Sequence, residues 1–130
     1  MKISYNSPVI LSFTILSGLI LILDLFFFAQ SRAITYSAFT VDGSFQFTNP
    51  LAYITLFGHI FGHSGWQHWL SNFSFILLIG PLIEEKYGSK ALMVMMLVTA
   101  FITAVLNIVF FETGLLGASG IVFMLILLSS

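Results

Sequence analysis

The side chains in this sequence best suited to chemistry are a serine set among small residues and a histidine one helical turn from an asparagine. Ser119 lies in the run Gly117-Ala118-Ser119-Gly120, and His68 and Asn72 are spaced i and i+4. A hydroxyl attacks a carbonyl only when one group takes its proton and others stabilise the charge growing on the carbonyl oxygen. Gly117, Ala118 and Gly120 leave room for a substrate backbone to reach Oγ, and the first amides of a helix have no partner inside it. His68 and Asn72 project from one helix face and add side-chain donors for the same oxyanion. The proton acceptor is missing from this set, because no histidine follows Ser119. Small residues around a serine also serve helix packing in membranes, so the four-residue motif does not establish catalysis by itself.

Four apolar runs, 8–30, 66–87, 91–111 and 115–130, have to position these residues. The first three match the roughly 20 residues that span hydrocarbon, while the fourth, at about 1.5 Å per residue, reaches only about 24 Å. The fourth is expected to be a spanning helix cut short, and residues 1–130 to be one partial membrane domain. Ser64 followed by Gln67 reads as a capping box opening the second run, and Gly88 and Ser89 close it and cap the third. Pro81, after Gly80, is expected to bend the second run near its end. The intervening segment 31–65 is expected to lie at the interface, with Asp42-Gly43 as a turn and Asn49-Pro50 as an N-cap and first-turn pair. Leu51, Ile54, Phe57 and Phe61 then form a helical face about 16 Å long, too short to span.

Composition excludes most other classes. Only 7% of the residues are charged and 58% are hydrophobic, against about a quarter charged in a soluble domain. The net charge of −1 offers nothing to nucleic acid, and the lack of cysteine removes disulfides, thiolate metal sites and cysteine nucleophiles. The first run, at about 21 residues, exceeds the 7 to 15 of a signal-peptide core and reads as a retained helix. Lys2, Lys86 and Lys90 fall on one side of the runs and Arg32 on the other, which makes the N-terminus cytoplasmic by the positive-inside rule. His68, Asn72 and Ser119 then share a depth of about 3 to 10 Å from the outer boundary.

Other polar residues have plainer readings. His59, His63 and His68 are spaced closely enough for zinc or haem, but no cysteine or carboxylate accompanies them, so loop-ordering hydrogen bonds are expected and no metal or cofactor. Asp24 is expected to reach the interface or pair with Arg32. Thr99, Thr103 and Asn107, with Ala100 and Ala104, mark a packing face on the third run, and Phe26, Phe27 and Phe28 an interfacial aromatic belt.

Taken together, His68-Trp69-Leu70-Ser71-Asn72, the span ending in Glu84 and Gly88, one intervening helix and then Gly117-Ala118-Ser119-Gly120 resemble the rhomboid family of intramembrane serine proteases. The resemblance runs from about His59 to the last residue. It implies an all-α, polytopic membrane helix bundle of which four transmembrane segments of six are present. It makes Ser119 the nucleophile, with its backbone N–H completing an oxyanion hole made with His68 and Asn72. Glu84 and Gly88 become a structural pair at the cytoplasmic end, and His63 a support for the entry loop. The family's base, a histidine on the sixth helix, lies outside these residues, so the chain alone is expected to be inactive. The Trp-Arg pair of many members is replaced here by Ile54-Thr55. The implied activity is endopeptidase cleavage in or near transmembrane segments of membrane proteins, in the plasma (inner) membrane with the site facing outward. The alternative is a non-catalytic relative that binds transmembrane helices of client proteins.

Overall fold

The computed structural model describes residues 6–130, and Lys2, one of the charges behind the orientation argument, lies outside them. Six α-helices follow one another: α1 (Pro8–Phe28), α2 (Ala33–Ala38), α3 (Pro50–Gly58), α4 (Trp66–Tyr87), α5 (Ser89–Phe110) and α6 (Ser119–Ser129), with a 3₁₀ turn at His59–Phe61 after α3. Among the described residues the only β-type pairing is an isolated antiparallel bridge between Val41 and Leu115. The protein is all-helical. Two helices, α1 and α5, are long and apolar enough to cross a membrane. Among the described residues these two are the clear candidates of the four expected spans: α4 is long enough but polar at both ends, with Gln67, His68 and Asn72 at its start and Glu84, Glu85 and Lys86 in its last turns, and α6 has 11 residues.

The packing centres on α4, whose inward residues Phe73, Ile76 and Ile83 meet Ile10 and Phe13 of α1 and Ile121 and Leu125 of α6 in one buried cluster. Glycines permit the α1–α4 approach. A side chain at Gly80 would come within 2.6 Å of Ile10, and one at Gly18 within 3.3 Å of the Trp69 indole. A second, smaller cluster of Val41, Leu56 and Ala104 seats the connecting segment on α5.

The helix ends follow from specific hydrogen bonds. Ser7 forms no side-chain cap on α1. Instead Glu84, buried on α4, accepts from the amides of Val9 and Ile10 at 2.9 and 3.1 Å, where a negative charge complements a helix N-terminus. The Ser89 hydroxyl donates to the same carboxylate at 2.7 Å, so one side chain joins the starts of α1 and α5 to the end of α4. Gly88 ends α4 at φ +90°, with its N–H on the Glu84 carbonyl at 2.8 Å. Pro81 sits inside α4 without ending it. Asn49 caps α3 as its sequence implied, accepting from the Leu51 amide at 3.1 Å.

Two local expectations are corrected. Ser64 does not cap α4, whose N-cap position is Gly65 without any side-chain bond. Ser64 turns its amide and hydroxyl to the His68 ring instead. The fourth apolar run becomes helical only at Ser119, because Leu115 pairs with Val41 in both directions, at 3.0 and 2.6 Å. Helix α2 was unexpected. Its six residues would not hold a helix alone, but Asp24 of α1 accepts from the Ile34 and Thr35 amides, both at 3.0 Å, in the manner of a cap supplied by a neighbour.

Candidate active site

The segment before α6 is suspended from three directions, and this places Ser119. Asn107 of α5 donates from Nδ2 to the Thr113 carbonyl at 2.9 Å. The Gly117 amide donates to the His59 carbonyl at 2.8 Å, and the Ala118 amide to His63 Nε2 at 3.2 Å. Ser119 is then the first residue of α6, with an exposed side chain whose hydroxyl makes no hydrogen bond among the described residues. Its amide belongs to the first turn, where no carbonyl of the helix can take it.

The three histidine rings have assignable tautomers. An amide only donates, so the Ala118 N–H makes His63 Nε2 an acceptor and puts the proton on Nδ1, 3.3 Å from the Ser17 hydroxyl. Ser17 also accepts from the Trp69 indole at 3.1 Å and donates to the Phe61 carbonyl at 3.3 Å. His59 Nε2 donates to the Ala100 carbonyl at 2.8 Å, and its buried Nδ1 has no partner. These are the loop-ordering bonds anticipated from the spacing. Burial, and then the neighbouring His68 ring, holds His63 down at about 4, and burial lowers His59 as well. His63 is therefore a neutral acceptor at neutral pH.

At His68, Nδ1 accepts from the Ser64 amide at 3.3 Å, with the Ser64 hydroxyl at 3.1 Å. The proton is accordingly on Nε2. That nitrogen points at Gly117: a Cβ there would lie 2.7 Å from both Nε2 and Cε1 of His68, and 3.6 Å from Nδ2 of Asn72. Asn72 Nδ2 is buried and has no hydrogen-bond partner among the described residues. Two donors thus converge on the open α-carbon of Gly117, two residues before the serine. Gly117 has φ +106°, a conformation that side chains other than hydrogen resist.

Gly120 lies against α5, where a Cβ would meet Thr103 at 3.4 Å, an ordinary contact. Arg32, Ser17 and Ser64 were missed as site residues. A serine beside Gly18 in the middle of an apolar run, and the lone basic residue following that run, were the available signals.

The Rhomboid domain model matches residues 50–130, more than half of the chain. The chain belongs to the rhomboid family. No curated protein and no solved structure matches it. As a rhomboid-family membrane protein it carries the matched domain from the first residue of α3 onward, through every residue of the Gly117 site except those that α1 and Arg32 contribute.

Proposed function

We propose that this chain supplies the nucleophile and the oxyanion pocket of an intramembrane serine endopeptidase acting on transmembrane proteins. The unpartnered Asn72 amide, buried beside the Nε2–H of His68 and facing Gly117, carries the reading. Leaving a buried donor unmade costs about 1–3 kcal/mol, a cost suited to a group that waits for an anion. In the reaction, Ser119 Oγ bonds to the scissile carbonyl carbon and its proton passes to a base. The oxyanion takes hydrogen bonds from the Ser119 amide, His68 Nε2 and Asn72 Nδ2. Collapse breaks the C–N bond as the base returns the proton to the leaving amine, and water then releases the acyl group from Oγ.

No ring among His59, His63 and His68 bonds to Ser119 in this structure, and each already holds a backbone group. We assign the base to a residue beyond these 130, within a larger bundle of six spans whose N-terminus is cytoplasmic and whose site faces outward in the plasma membrane. The same engagement of all three histidines favours a second reading, a non-catalytic relative that binds transmembrane helices.

The full-length protein separates the two. Ser119→Ala is expected to abolish cleavage of a transmembrane reporter while leaving the fold intact in detergent. Asn72→Ala is expected to slow turnover by about 10- to 1000-fold. Cleavage by Ser119→Ala at the parent rate removes the nucleophile assignment. Client binding without cleavage by the unsubstituted protein selects the second reading.

A further inference from the structure

His68 serves an oxyanion only as the Nε2–H tautomer, and that tautomer is imposed by the Ser64 amide on its Nδ1. The amide belongs to the peptide unit whose carbonyl is His63's, and this carbonyl is gripped from behind. Arg32 Nη2 donates to it at 2.5 Å, while Nη1 donates to the next carbonyl, that of Ser64. A cation on a peptide oxygen draws electron density from the nitrogen and makes the N–H a stronger donor. The guanidinium is fixed in turn by Asp24, 3.1 Å from Nε, and by the Thr35 hydroxyl, 3.2 Å from Nη2. Arg32 is 7% exposed and adopts a left-handed backbone, φ +50°, to turn inward from the end of α1.

We propose that Arg32 is a positioning residue: by clamping the His63–Ser64 peptide it locks His68 as the Nε2–H donor aimed at Gly117. The inference rests on the oxyanion reading above. A planar fork spreads its donors over four acceptors at once, whereas a lysine ammonium is a point charge with three donors on a flexible stem. Lysine at position 32 keeps the charge and loses the clamp.

The test is made on the full-length protein, ¹⁵N-labelled at histidine, in detergent micelles. Long-range ¹⁵N–¹H correlation of the imidazoles reads the tautomer directly. His68 is expected as Nε2–H alone in the parent, and as a mixture with Nδ1–H in Arg32→Lys. Where cleavage is measured, Arg32→Lys is expected to lower kcat by about 10- to 100-fold with KM nearly unchanged, the signature of a contact made in the transition state. If Arg32→Lys does not fold, Asp24→Leu takes its place. Leucine offers no acceptor to Arg32 Nε, which releases one side of the clamp at similar size. A parent protein with His68 protonated on Nδ1, or a folded variant with an unshifted tautomer, overturns the assignment. The tautomer is read without turnover, so an inactive parent defeats the protease reading and leaves this one still decided.

Discussion

Replacing Gly117 by alanine tests whether the convergence of donors is as tight as the geometry states. The added methyl would lie 2.7 Å from Nε2 and Cε1 of His68, where ordinary contact begins at 3.4 Å, an overlap of about 0.7 Å with a ring that Ser64 holds by two bonds. Overpacking of this kind costs about 1–3 kcal/mol, and holding alanine at a positive φ costs about 1–3 kcal/mol more. The expected destabilisation is about 2–6 kcal/mol, measured by SDS titration of the protein in mixed micelles with Trp66 and Trp69 as fluorescent reporters. Gly65→Ala is the matched control. That residue has an extended backbone and nothing within 4 Å of the added methyl, so its effect should stay within about 1 kcal/mol, the scale of replacing glycine by alanine at an N-cap. The methyl at 117 also occupies the space between the two donors and the substrate carbonyl, so Gly117→Ala protein that does fold should cleave at the Asn72→Ala level or below. Equal stability of the two alanine variants, with full cleavage by the first, would refute the geometric argument.

Two further outcomes follow from the polar interior. Glu84→Gln removes the charge that caps α1 and holds Ser89, and should destabilise by about 1.5–3 kcal/mol in the same titration; a change below half of that would show the cap to be incidental. His63 binds a proton less readily folded than unfolded, since it sits near 4 against an ordinary value of 6.5. The unfolded chain therefore holds more protons between those values, and stability should be full above pH 6.5 and fall as pH drops toward 4, by at most about 3 kcal/mol. His63→Gln, which keeps an acceptor for the Ala118 amide without titrating, should flatten that part of the profile.

Much of the fold was legible because its signals are local. Apolar runs set α1, α4 and α5 to within two residues, Asn49-Pro50 marked the start of α3, and Gly88 marked the end of α4. The pairing of Asp24 with Arg32 followed from there being few charges to choose among. What sequence could not supply was long-range. Helix α2 exists because a carboxylate ten residues earlier caps it, and Ser64 resembles a capping residue until a histidine ring competes for its hydroxyl. Gly120 reads like Gly117 in a four-residue motif. Only the folded structure separates their neighbours, His68 and Asn72 of α4 at Gly117 and Thr103 and Thr99 of α5 at Gly120.

The amides of Gly117 and Ala118 both end on the segment just before α4, with Ala118 and its partner His63 55 residues apart in the chain. Closing so long a loop is entropically costly and must wait for both ends to be present. During synthesis α1 to α5 emerge first and already give the histidine segment Ser17, Arg32 and Ala100 as partners, while the His59 carbonyl and His63 Nε2 wait for the residues before α6. The serine thus becomes part of an ordered pocket at the last step of assembly of these helices. A nascent chain carries a commonplace hydroxyl, and the nucleophilic setting proposed for it is a property of the finished bundle.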